Sequence, residues 1–399
     1  MKILVVNTKK NISLKINRYS ILLYLLIIMP FIDSISGALY DQIPVGQIYR
    51  LIFFIYILLM LSKISKRKFI QVTIPLMIFF IIQGIVGHTY IAKCFQDIIK
   101  LFTPIILIVL FEVLIKEKKI CAEQIFKLLD CWCICYPLLI LVPGIMGIGN
   151  NAYADAMSFK GFFYATNEIS FILSGLIMYS FWRLKKDANI KSLIILAINC
   201  LSIIMMGTKT GYATILVFTV VFILSLRKIK NQKSKIKIFL ILGIAIIILG
   251  INFQNLISMT KSITERWYYQ KQLSYSTTDF LFSMRLRRFS NTWNAFSDGF
   301  YFLTGWGFGK ELSGIPNMEM DFLDLFFKTG IVGVIYISLF YIRRVLGKIK
   351  VNKYGFLVLV WSMLLAFGAG HVLFYGQSGM ALAIIYTYVL IISKNNVYK

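Results

Sequence analysis

Long apolar runs separated by short polar breaks make up nearly the whole chain. The runs fall at about 19–37, 47–62, 69–87, 97–115, 128–148, 166–183, 190–206, 210–226, 237–252, 321–341, 354–372 and 376–393. Most have about the length an α-helix, rising about 1.5 Å per residue, needs to cross a hydrocarbon core of about 30 Å. The pattern predicts an all-α polytopic membrane protein with about 12 transmembrane helices, read as a single integral membrane domain over 1–399.

One polar-to-mixed stretch breaks the rhythm, the loop 253–320. It holds 15 aromatic residues, too apolar a composition to stay unfolded and solvated. Phe282, Leu286, Phe289, Trp293 and Phe296 recur at alternating spacings of four and three, which predicts an amphipathic helix lying on the bilayer or capping the bundle. Of the arginines on it, Arg285 and Arg288 share a flank of the apolar face and Arg287 points away. The loop is therefore read as one large extracytoplasmic loop carrying short amphipathic helices.

Composition sharpens this picture. With 58% hydrophobic residues and a mean hydropathy of +0.76, a soluble domain is excluded. The net charge of +26 does not mark nucleic-acid binding, because the basic residues cluster between apolar runs. With the N-terminus inside, 30 of the 43 Lys and Arg residues fall on the cytoplasmic side, so both termini are expected there. Lys9, Lys10, Lys15 and Arg18 precede the first run, but Pro30 and Asp33 stand where a cleavage site would need small residues, so the run reads as a retained helix. Cys131, Cys133 and Cys135 alternate and so are expected not to share one helix face; the six cysteines read as buried inert thiols.

The ionisable residues of the spans gather near one side. Arg50, Asp97, Lys100, Glu168, Lys209, Asp321, Asp324 and Lys328 lie at or near outer helix ends, and only Glu112 and Asp130 toward inner ones. A transporter places such groups near the midplane; this distribution points to a site at the outer face. Arg285, Arg287 and Arg288 suit an anion, since guanidinium binds phosphate oxygens bidentately and keeps its charge, although an anionic lipid surface attracts the same cluster. Glu319, Asp321 and Asp324 have two readings as well: they complement the dipole of the helix they open, or one of them is a general base. No Walker motif and no G-x-S-x-G is present, His88 and His371 stand alone, and Gly305, Gly307 and Gly309 follow no strand. No metal and no cofactor is expected.

In chain order there is a Thr-x-Thr-Gly turn in MMGTKTGYATI (205–215), a long loop with the arginine cluster, the G-x-G-x-G turn, and an acidic helix entry leading to KTGIVG at 328–333. This resembles the O-antigen polymerase and O-antigen ligase superfamily, the Wzy-like integral membrane glycosyltransferases. The resemblance implies a polyprenyl-diphosphate-linked oligosaccharide donor and transfer at the extracytoplasmic face of the cytoplasmic membrane. On it, Arg285, Arg287 and Arg288 bind the leaving diphosphate with Lys209, Glu319 and Asp321 are the catalytic candidates, and Trp293 and Trp306, with Trp267 and Tyr268, are platforms for sugar faces or interfacial anchors. The chain departs from the pattern in having Lys209 where Arg is common, and Glu319 and Asp321 where ligases carry a histidine. That favours polymerisation of repeat units into a capsule, exopolysaccharide or O-antigen over ligation; a transporter or flippase of lipid-linked oligosaccharide is the third reading. Membrane lipids, a flippase and a chain-length regulator are the expected partners beside the donor, with no nucleic acid.

Overall fold

An apolar run in a bilayer pairs its own backbone N–H and C=O groups by coiling into a helix, and the runs among the described residues do so here. The structure is a computed structural model that describes residues 18–40, 42–86, 91–152, 158–226, 265, 267–283, 285–298, 301–308, 318–347, 352–370 and 372–394. In order come α1 (Arg18–Ala38), α2 (Val45–Ile64), α3 (Lys66–Val86), α4 (Ile91–Lys116), α5 (Ala122–Ile145), α6 (Thr166–Asp187), α7 (Ile190–Met206) and α8 (Lys209–Leu226). The shorter α9 (Thr277–Leu281) and α10 (Arg285–Asp298) follow, then α11 (Asp321–Gly347), α12 (Lys353–Ala369) and α13 (Gly376–Lys394). Helix accounts for 83% of the described residues, and none of them forms a strand.

Eleven of the twelve apolar runs thus coincide with a helix; the run at 237–252 lies outside the described residues. Eight of these helices are long and apolar enough to cross a membrane: α1 to α5, α8, α11 and α13. α7 and α12 are apolar but shorter, and α6 is the most polar of the long helices.

α4 and α13 run together through the middle of the bundle, both almost wholly buried. Small residues on α13 (Gly376, Ser378, Gly379, Ala381, Ala383) permit the close approach that packing in a lipid environment relies on. The charges toward the far ends are paired: Glu112 of α4 with Arg344 of α11 at 3.2 Å, and Asp130 of α5 with Arg183 of α6 at 3.2 Å. Asp33 on α1 is fully buried, yet Arg50 of α2 reaches it at 2.9 Å and the Tyr136 hydroxyl donates to it at 3.2 Å. All six cysteines are free, but only Cys94 and Cys133 are buried, and Cys121 is exposed. One detail differs from the alternation argument: Cys131 and Cys135, four apart, share a helix face with sulfurs 3.7 Å apart, while Cys133 turns toward Ser180.

The expected amphipathic helix is α10. Phe296 is buried, and Phe289 and Trp293 pack with it against Phe326 and Phe327 of α11. Leu286 remains 40% exposed while Arg285 lies on the buried side at 8%. With Trp306, Met318 and Met320 these aromatics form a second, smaller hydrophobic cluster beside the main core.

The Gly-Trp-Gly turn and the Lys-Thr-Gly sequence meet in space. α11 is broken at Gly330, whose left-handed backbone (φ 64°) turns aside the N–H groups that would pair with the carbonyls of Phe327 and Lys328. Trp306 N–H and Gly307 N–H take those carbonyls instead, at 2.9 and 3.1 Å, and Ile331 N–H donates to Phe302 C=O at 2.9 Å. A Cβ on Gly330 would collide with the Leu303 carbonyl, and one on Gly305 with that of Lys328. Buried Gln83 of α3 closes the far side: its amide N donates to Thr304 C=O at 3.1 Å and its carbonyl accepts from Phe308 N–H at 3.0 Å.

Candidate functional site

The turn between α7 and α8 is built to project one lysine. Gly207, left-handed at φ 63°, caps α7 by donating its N–H to the Ile203 and Ile204 carbonyls, and α8 begins two residues later at Lys209. The Ser170 hydroxyl of α6 lies 2.7 Å from that of Thr208 and 3.1 Å from that of Thr210, fixing the turn against α6. The Lys209 ammonium donates to Phe280 C=O at 2.6 Å and sits 3.8 Å from the centre of the Phe280 ring, so the turn is also tied to α9.

Arg285 and Arg288 of α10 converge on Glu319. Nε and Nη2 of Arg285 reach Oε2 at 3.4 and 3.3 Å, and Nη1 of Arg288 reaches Oε1 at 3.2 Å. Arg285 also donates from Nη1 to Gly368 C=O at 2.5 Å, which anchors it between α12 and the acidic segment. Arg287 faces elsewhere: it pairs with Asp279 at 2.5 Å, donates to Leu273 C=O at 2.8 Å and lies over the Tyr275 ring at 3.8 Å.

Glu319 holds a left-handed backbone (φ 57°), rare for a residue with a side chain and concentrated at functional sites. Its neighbours keep it there. Both Asp324 oxygens accept backbone N–H groups, from Met318 at 3.0 Å and Met320 at 3.1 Å. Asp321, 1% exposed, accepts the N–H groups of Val372 and Leu373 on one oxygen at 2.7 and 2.8 Å. The Glu319 carbonyl rests on Gly370, where any Cβ would clash.

A cavity of about 260 Å³ opens between these elements. It is lined by Lys209 and Arg285, by Glu319, and by the neutral polar residues Asn167, Thr208, Thr210 and Gln270 with the indole of Trp267. The N-terminus of α8 faces it, adding the positive end of that helix's dipole to two cationic side chains.

Of the residues singled out in the sequence, Lys209, Arg285 and Glu319 share this cavity, with Arg288 one contact behind. Arg287, Asp321, Trp293 and Trp306 do not line it. Trp306 is 8% exposed and stacks on Phe327, and Trp293 stacks on Phe326. His371 and His88 lie outside the described residues. Among the described residues no cluster of His, Cys, Asp and Glu could hold a metal ion. Sequence reasoning missed Asn167 and Gln270, which carry no motif, and Gln83, a lone amide in an apolar run.

Residues 192–338 match the family model described as O-antigen ligase. The match runs from α7 into α11 and includes every charged residue that lines the cavity. It is consistent with the O-antigen polymerase and ligase superfamily. At that level the matched family suggests an O-antigen polymerase- or ligase-type function in polysaccharide assembly. No curated protein and no solved structure matches the chain.

Proposed function

We propose that the cavity holds the diphosphate of a polyprenyl-diphosphate-linked oligosaccharide, and that the protein transfers the glycan to an acceptor hydroxyl, polymerising repeat units into a surface polysaccharide. The observation that carries this reading is the convergence of Lys209, Arg285 and the α8 N-terminus on one cavity with a single carboxylate, Glu319. Diphosphate is a good leaving group, so the protein's task is to neutralise developing charge and orient the acceptor. The acceptor oxygen bonds to the anomeric carbon as the bond from that carbon to the phosphate oxygen breaks. The lipid diphosphate leaves with its electron pair, and the acceptor proton passes to a base.

Glu319 is the base in this scheme. In the structure both of its oxygens are engaged by guanidiniums. A diphosphate taking up Arg285 and Arg288 releases the carboxylate as the substrate arrives. Asp321, saturated on one oxygen by two backbone N–H groups, is a positioning residue that holds the 318–321 segment to the turn before α13. Arg287 likewise fixes α10 to α9 through Asp279. The cavity faces the extracytoplasmic side on this reading, following the asymmetry of basic residues, with both termini cytoplasmic and the loop 253–320 outside. A flippase supplying the donor and a chain-length regulator complete the proposed setting.

Ligation is the second reading, supported by the description of the matched family. Against it, the sequence has only two histidines and neither falls in 253–320. Incubating the purified protein with a lipid-linked repeat unit and sizing the product separates the two. A ladder of lipid-linked lengths supports polymerisation, transfer only onto an added second acceptor supports ligation, and unchanged donor under both conditions removes the transferase reading.

A further inference from the structure

The cavity is not uniformly cationic. Beside Lys209 and Arg285 it presents two amides, two threonine hydroxyls and one indole, none of which a diphosphate requires. Gln270 is the informative one: its Oε1 is buried with no hydrogen-bond partner among the described residues. An unpaired buried acceptor is costly, and a phosphate oxygen, itself only an acceptor at neutral pH, cannot satisfy it. A hydroxyl can. Trp267 stands beside it in the helical stretch 267–273, its ring 5.4 Å from that of Tyr212 at 84°. That perpendicular contact covers at most one face of the indole. An aromatic face next to planar amides is a surface that matches a pyranose, which offers C–H groups on its faces and hydroxyls around its rim.

We propose that Trp267 and Gln270 form the subsite for the sugar joined directly to the diphosphate, and so discriminate among donors by that sugar. The inference rests on the reading of the cationic part of the cavity as the diphosphate site, since the two groups are bonded to each other. At about 260 Å³ the cavity is near the lower end of small-molecule sites, about 300 Å³. It accommodates the group at the point of cleavage and leaves the rest of the repeat unit outside.

The test uses the full chain in detergent and two probes, farnesyl diphosphate and farnesyl diphosphate carrying one hexose, titrated by calorimetry. Gln270→Leu is near-isosteric and Trp267→Phe keeps a ring, so both preserve packing. Gln270→Leu should weaken binding of the hexose-bearing probe about three- to tenfold, the worth of roughly one net hydrogen bond, Trp267→Phe should weaken it by reducing the aromatic face, and both should leave farnesyl diphosphate unchanged. Equal losses on both probes, or none on either, overturn the subsite. Lys209→Gln reads the underlying assignment separately. If that variant binds farnesyl diphosphate as the wild type does, the diphosphate site is misassigned, while the difference between the probes still decides the role of Gln270.

Discussion

Arg285 and Glu319 stand 34 positions apart in the chain and meet at 3.3 Å on the wall of the cavity. The carboxylate is one-third exposed, so the pair adds little to stability. Its importance is chemical: the guanidinium that would bind an anionic donor is already engaged by an anion belonging to the protein.

Replacing that anion tests the scheme. Glu319→Gln keeps the shape and cannot take a proton, so turnover with a lipid-linked repeat unit should fall about 10²–10⁴-fold at normal protein levels. Diphosphate binding, measured separately, should strengthen, because the competing charge is gone. Turnover above about a tenth of wild type would move the base elsewhere.

Asp321→Asn should act differently. The side chain still accepts from Val372 and Leu373 but loses the charge that strengthens both bonds, a cost of roughly 1–3 kcal/mol. Lower thermal stability in detergent, with turnover per folded molecule within about tenfold of wild type, is the expected outcome; a loss as deep as that expected of a base would make Asp321 catalytic.

The three arginines should separate. Arg288→Ala frees one Glu319 oxygen and should reduce donor affinity, with Lys restoring it poorly because the planar fork is lost. Arg287→Ala strands the buried Asp279 and should lower the melting temperature instead. Arg287→Ala combined with Asp279→Asn should regain much of that loss.

Removing Arg50 probes the membrane core. Arg50→Met leaves Asp33 fully buried without its cation, and breaking such a pair costs about 3–5 kcal/mol. Adding Asp33→Asn should recover most of the thermal stability, which a detergent melt would read. Equal stability of the single and double variants would mean that Asp33 left without its cation carries no penalty.

Hydropathy alone located eleven of the described helices, because a bilayer admits few other solutions. The i, i+3 relation also placed Arg285 and Arg288 on one flank and turned Arg287 away, although all three were read as diphosphate ligands. Which acid they meet was not decided by the sequence, since Glu319 is presented to them through backbone hydrogen bonds to Asp324 and the packing of Gly370. The glycines were legible as a place where backbones approach, yet the partner of each, Gly305 with Lys328 and Gly330 with Leu303, is set by a break in α11 that no spacing encodes. Trp306 was read toward sugar, but its indole fills the small aromatic core instead.

Gln83 gives that geometry a mechanical reach. It grips both ends of the 304–308 turn from α3, the least buried of the candidate spans. A displacement of α3 against α4 must therefore drag the turn along or break both hydrogen bonds, and the turn is laced to Phe327 and Lys328, a few residues past Glu319. Through one amide, α3 thus holds the register of a turn that closes the break in α11, the helix that begins two residues after Glu319.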